Sequence, residues 1–212
     1  MKDKKATILI DLKQSEKEIY DKLSKDLKWG IRRAGKEGLY LVEIEKYDII
    51  NWELFKQIYR ETWWAVNPKI DEMVTQWRKD GSRRLFFVLN KYNGLVGYAI
   101  VKNLPDRFNL EYMSNNNVKL RVNDFIYWNL ILQAKKEGLP YFDLGGYQLG
   151  ARGKTDKVNK YKLQFNGEIV ITEVKGNFFY ILGRKIVRRF PWITRMKKKM
   201  QGYKFNDKTN IN

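Results

Sequence analysis

The sequence predicts a mixed α/β domain, and three observations carry that reading. Short β-branched and aromatic runs alternate with amphipathic stretches. Two of those runs flank Lys91-Tyr92-Asn93-Gly94, an Asn-Gly hairpin signal. The order is strand, helix, strand, two helices, a strand meander, helix, strand, loop and strands, which is not the strict alternation of a doubly wound sheet. With 212 residues there is room for one good-sized core or two small ones.

The elements follow in order. Ala6–Leu12 (ATILIDL) is the first strand. Ser15 and Glu18 make a capping box, and the apolar face of Ile19, Leu23, Leu27, Ile31 and Ala34 predicts one helix stopping at Gly38. The opposite stripe carries Lys25, Trp29, Arg32, Arg33 and Lys36. A strand at Leu39–Glu45 follows. Asp48 caps a helix with Trp52, Phe55, Ile58 and Tyr59 on one side, and a shorter helix at Asp71–Lys79 ends at Gly81. Arg83–Asn90, Leu95–Val101 and Phe108–Ser114 form the meander. Asn123 is read as the cap of an amphipathic helix with Val122, Phe125, Ile126, Leu130 and Ala134, closed by Gly138. Tyr141–Leu144 is a strand. Glu168–Val174 and residues 178–182 form a second hairpin about Gly176.

Composition narrows the chemistry. The sequence has no cysteine and no histidine. Thiol nucleophiles, disulfides, imidazole bases and His-ligated zinc are excluded. No carboxylate spacing suggests a metal. No run of about 18 apolar residues occurs, and the N-terminus lacks the pattern of a signal peptide, so a cytoplasmic protein is expected. The net charge of +18 implies an anionic partner, whether nucleic acid, anionic lipid or a phosphorylated substrate. A merely lysine-rich surface is the plain alternative.

Arg184–Met200 (RKIVRRFPWITRMKKKM) holds eight cations and no acid, interleaved with Ile186, Val187, Phe190, Trp192 and Ile193. That composition suits an anchor on an anionic membrane surface, with a tRNA-binding tail or a core-docked helix with a basic outer face as alternatives. The division read from the sequence is therefore a domain at 1–183 and a basic amphipathic extension at 184–212.

Lys162 raises the sharpest question. It sits among apolar residues in Tyr161-Lys162-Leu163-Gln164-Phe165, just past the glycines Gly145 and Gly146. A fixed cation there can stabilise the oxyanion of acyl transfer. The plain alternative is a lysine snorkelling from a half-buried strand. Asp143 ends a strand before the two glycines, where it can orient an amine or simply cap the turn.

Three segments resemble a known family. Leu27–Gly38 (LKWGIRRAGKEG), Asn129–Gly146 (NLILQAKKEGLPYFDLGG) and Asn159–Glu168 (NKYKLQFNGE) are similar, in this order, to signature segments of the FemABX-type peptidyltransferases. That resemblance implies the GNAT (acyl-CoA N-acyltransferase) fold in a single domain, matching the family's second domain. It implies aminoacyl transfer from aminoacyl-tRNA to an amine of a peptidoglycan-type precursor, lipid-linked or nucleotide-linked. On it, Lys162, Tyr161 and Asp143 are the candidate catalytic residues, and Arg32, Arg33, Trp29, Gly145, Gly146 and Tyr147 the candidate substrate-binding ones. Tyr161 stands where the family commonly has Phe, and Asn166 replaces a Gly.

The implied donor is a substrate and no bound cofactor is expected. Acyl-CoA is the alternative donor, but GNAT acetyltransferases usually carry a glycine cradle for its pyrophosphate between a strand and the next helix. Here that junction, Tyr112–Phe125, has no glycine, although Lys119 and Arg121 can meet phosphate. The rival functions are an acyl-CoA N-acyltransferase acting on an amino sugar, a non-catalytic module for RNA or membrane, and a partner of a second GNAT-like subunit. Association into a homo-oligomer is left open, as is a peripheral place at the inner face of the membrane.

Overall fold

The computed structural model describes residues 2–62, 65–115, 118–175 and 204–205. The strands are β1 (Lys2–Asp11), β2 (Tyr40–Ile44), β3 (Ala65–Val66), β4 (Arg83–Leu89), β5 (Leu95–Leu104), β6 (Arg107–Asn115), β7 (Tyr141–Tyr147), β8 (Glu168–Lys175) and β9 (Lys204–Phe205). The helices are α1 (Glu16–Lys22), α2 (Lys25–Lys36), α3 (Ile49–Thr62), α4 (Ile70–Asp80), α5 (Val122–Lys136) and α6 (Lys154–Leu163).

Local chemistry accounts for most boundaries. Ser15 and Glu18 form the expected reciprocal capping box of α1. The expected single helix is two, because Ser24 takes an extended conformation and its hydroxyl accepts the Leu27 amide, starting α2 afresh. Asp48 caps α3 through the Asn51 amide at 3.1 Å. Gly38, Gly81 and Gly138 follow helix ends in the left-handed region that glycine favours. Asn123 does not cap α5. Arg121 holds the cap position with φ 56°, and Asn123 lies in the first turn, where its Oδ1 accepts from Asn115 Nδ2. The segment read as a loop and strand around Lys162 is helix α6.

Seven strands form one sheet in the order β2-β4-β5-β6-β7-β1-β8. The hairpin at Asn93-Gly94 joins β4 to β5, as the turn signal predicts. All neighbours are antiparallel except β6 and β7, which α5 connects as a parallel pair. β8 pairs with β1, while the expected second half of its hairpin, 178–182, lies outside the described residues. β3 and β9 make a separate two-stranded pair.

Alternation along β4 and β5 builds a core on each face. Phe86, Val88, Ala99 and Val101 pack against Leu27, Ile31, Ile126 and Leu130 of α2 and α5. Leu85, Phe87, Tyr98 and Ile100 face Trp52, Phe55, Val74 and Trp77 of α3 and α4. Each fully buried side chain of this size contributes about 1.5–3 kcal/mol, so the two layers fix the central strands firmly. Among the described residues no helix is long and apolar enough to cross a membrane.

Candidate active site

The parallel pair is short. It runs through Arg107 with Tyr141, Phe108 with Phe142 and Asn109 with Asp143, and then stops. Beyond that point β6 stays with β5 as far as Asn115, and β7 stays with β1 as far as Tyr147. The sheet therefore opens between β6 and β7.

Gly145 sits at the start of the opening. Its φ is +79°, and a Cβ there would lie 2.6 Å from the Leu110 carbonyl oxygen and 3.4 Å from Lys162 Nζ. Only glycine lets β7 turn, pass Leu110 and admit the ammonium together. Lys162 is buried and donates to the Gly146 carbonyl at 3.0 Å. An ammonium has three donors, and the other two meet no protein acceptor among the described residues. Burial pulls the Lys162 ammonium below the usual lysine range, with Asp143 opposing.

Asp143 is buried and braces the turn. Its Oδ1 accepts from the Thr7 hydroxyl and from the Gly145 amide, the latter at 2.8 Å. Its Oδ2 lies 3.6 Å from Arg107 Nε, a buried nitrogen without a hydrogen bond. Of the two roles open from the sequence, the turn-capping contacts are those the structure contains. Tyr147 is half-buried at the end of β7 and, with Gly146, lines a groove of ≈ 410 Å³ whose other walls include Lys4, Lys5, Thr155 and Val158.

One residue before Lys162, Tyr161 turns toward α5. Its hydroxyl donates to Asp124 Oδ1 at 2.7 Å, so the tyrosine in place of phenylalanine has a partner. Asp124 is buried in the first turn of α5, and its Oδ2 pairs with Arg121 Nε at 2.6 Å. Arg121 continues to Asp26 Oδ2 at 2.6 Å and stacks over Trp29. It is thereby committed to carboxylates, against its expected availability for phosphate. Burial pushes the Asp124 carboxyl up, with Tyr161 and Arg121 opposing, and pushes the Tyr161 phenol well up.

Trp29 is 46% exposed, and the Arg33 guanidinium lies 5.3 Å from its ring centre. Arg32 is exposed on the same helix. Trp29 and Arg33 thus join the Asp124 network, Lys162 joins the two glycines, and α6 links the two groups. The three resembling segments meet around α6 and the N-terminal turn of α5.

Sequence reasoning missed Thr7, Gly30, Arg121 as a structural cation, and Asp124. Gly30 left a signal: it lies mid-helix, where a glycine with no turn to make marks a close approach. A Cβ there would stand 1.9 Å from Asp124 Oδ2. Among the described residues no cluster of acidic side chains has the grouping of a metal site.

This architecture has solved counterparts. FemX superposes with a TM-score of 0.64 at 10% identity, covering 87% of this chain and 63% of that one. The C-terminal DUF2156 domain of a putative lysylphosphatidylglycerol synthetase from Agrobacterium fabrum gives 0.60 at 12% identity, covering 87% of this chain and 64% of that one. The GCN5-related glucosamine N-acetyltransferase region of a fungal multi-domain β-N-acetylglucosaminidase gives 0.50 at 8%, covering 81% of this chain and 20% of that one. The fold is GNAT-like, of the FemX type. The chain spans just under two thirds of the first two structures. No protein-family model and no curated protein matches its sequence.

Proposed function

We propose that the protein is an aminoacyltransferase. In this reading it joins the aminoacyl group of an aminoacyl-tRNA to an amine on a cell-envelope precursor of peptidoglycan type. The observation that carries it is Lys162: a buried ammonium with two uncommitted donors, at the point where β6 and β7 part.

The chemistry follows from what the site contains. The acceptor amine attacks the ester carbonyl, forming a carbon–nitrogen bond and a tetrahedral oxyanion. Lys162 stabilises that oxyanion in a water-poor setting, where a preorganised donor counts most. Collapse breaks the ester carbon–oxygen bond, and the amine proton passes to the departing ribose oxygen. No covalent enzyme intermediate is needed, which accords with a sequence free of cysteine and histidine. Asp143 and Gly145 hold the turn that receives the lysine, and Tyr161 holds its helix.

Two features favour tRNA over acyl-CoA as donor. The first turn of α5 contains the Asp124 carboxylate, and its neighbouring Arg121 is already paired, so the place where a pyrophosphate would rest is acidic and lacks glycine. The exposed Trp29, Arg32 and Arg33 suit a phosphate backbone and an unstacked base. The acyl-CoA reading, with an amino sugar as acceptor, draws its support from the glucosamine N-acetyltransferase neighbour.

The test is binding of aminoacyl-tRNA across a salt series, beside calorimetry with CoA and acetyl-CoA and single-turnover transfer to an amine. Steep salt dependence with transfer supports the proposal. Micromolar CoA binding without salt-sensitive tRNA binding replaces it with the acyl-CoA reading.

A further inference from the structure

Helix α6 is weakly held by apolar contacts. Its buried side chains are Asn159 and Lys162, both polar, and Tyr161 is half-buried against Tyr127 and Phe165. Lys154, Lys157, Lys160 and Leu163 face solvent. Polar contacts must therefore set its rotation about its own axis. Asn159 clips the chain after β7 through both the amide and the carbonyl of Gln148. Ser24 binds the backbone and side chain of Gln164, just past the helix end. Between these ends, Lys162 donates to the Gly146 carbonyl, and the side-chain hydrogen bond to a neighbouring helix among the described residues is Tyr161 to Asp124.

Asp124 is a rigid stop. Its carboxylate lies between the Tyr161 hydroxyl and Arg121, and the bare face of Gly30 backs it. Arg121 is in turn fixed by Asp26 and Trp29. Side-chain tips lie about 5–6 Å from a helix axis, so a 20° rotation of α6 would carry the lysine about 2 Å from its place. A displacement of about 1 Å can cost a hundredfold in transfer rate.

We infer that Asp124 is a positioning residue that sets the rotation of α6 through Tyr161, and so holds the Lys162 ammonium at the opening between β6 and β7. Its catalytic consequence rests on the aminoacyl-transfer reading; its structural consequence does not.

The experiment measures the titration of Lys162 by competitive labelling of the full chain with acetic anhydride, read by peptide mass spectrometry across pH. Transfer kinetics are measured in parallel. In the wild type, the Lys162 titration is expected below the ordinary lysine range. In Asp124→Ala the helix loses its stop, and the Lys162 titration should move up toward that range. Tyr161→Phe keeps the ring packing and removes only the hydroxyl, so it gives the same direction in a folded protein. Asp124→Asn retains an acceptor for the hydroxyl and restores much of the wild-type titration. Transfer falls about tenfold or more in kcat for Asp124→Ala and Tyr161→Phe, with the donor KM little changed. An unmoved Lys162 titration in Tyr161→Phe overturns the inference. A shifted titration in a protein that transfers nothing even as wild type upholds the positioning role and defeats the aminoacyl-transfer reading.

Discussion

Gly30 and Gly35 lie on the same helix, yet the same substitution should change stability in opposite directions. In a helix interior, Gly→Ala gains about 0.8–1 kcal/mol from propensity alone. At Gly35, in the last turn of α2, a Cβ meets nothing within 4 Å, so Gly35→Ala should realise part of that gain. At Gly30 the new Cβ would stand 1.9 Å from Asp124 Oδ2 and 2.7 Å from Arg121 Nε. Asp124 cannot retreat without leaving Tyr161 and Arg121, and uncoupling a buried carboxylate from its partners costs about 3–5 kcal/mol. The net expectation for Gly30→Ala is a loss of about 2–4 kcal/mol. Urea unfolding of the three proteins, analysed by linear extrapolation, reads this directly, and with slopes of about 1–3 kcal/mol per molar the midpoints of the two variants should differ by about 1 M or more. If Gly30→Ala proves as stable as Gly35→Ala, the Asp124 carboxylate does not lie against α2, and the network joining α2, α5 and α6 is misdrawn.

Lys162→Met should lower transfer by a hundredfold or more, the effect of losing an oxyanion donor, about 3–4 kcal/mol. Its thermal midpoint should be no lower than wild type, because a desolvated ammonium is replaced by an apolar chain of similar shape. Ser24→Ala removes the cap of α2 and the bond to Gln164, and should cost about 1 kcal/mol or slightly more in denaturant unfolding. Asp124 predicts a pH effect. Its native carboxyl is raised, so between the ordinary Asp value near pH 4 and the raised one the native state keeps a proton that the unfolded state has lost. That contribution to stability is fully present below the unfolded value and declines as pH rises through the window. The difference in unfolding free energy between wild type and Asp124→Asn should fall over the same range; a flat difference would show that Asp124 is not desolvated.

The sequence made the central strands and α5 legible because they are apolar and periodic. Phe86, Val88, Ile100 and Leu130 announce a core whatever their neighbours do. Helix α6 was not legible for the opposite reason: it buries an asparagine and a lysine, so periodicity has nothing to report, and its glycine-dotted approach reads as a loop. The break between α1 and α2 was hidden because Leu23 and Leu27 keep the apolar spacing across it, with Ser24 between them as the small sign of a new start. Lys162, Tyr161, Gly145 and Gly146 stood out as candidates through their pattern. Asp124 did not, and Arg121 was read only as a phosphate contact, because the groups that complete their network, Asp26, Trp29 and Tyr161, lie on α2 and α6, and contacts that distant leave no local spacing.

The small β3–β9 pair has a consequence for the basic segment 184–200, which lies outside the described residues. Covalent continuity ties that segment to the domain at two points: the end of β8 at Lys175, and Lys204–Phe205, zipped to Ala65–Val66 beside α3 and α4. An anionic surface that captured those cations would therefore act on the domain through both of these points. Deleting everything from Arg184 would also remove β9, confounding a lost anchor with a lost clasp. Exchanging the cations of 184–200 for serine, with Lys204 and Phe205 left in place, separates electrostatic capture from tethering.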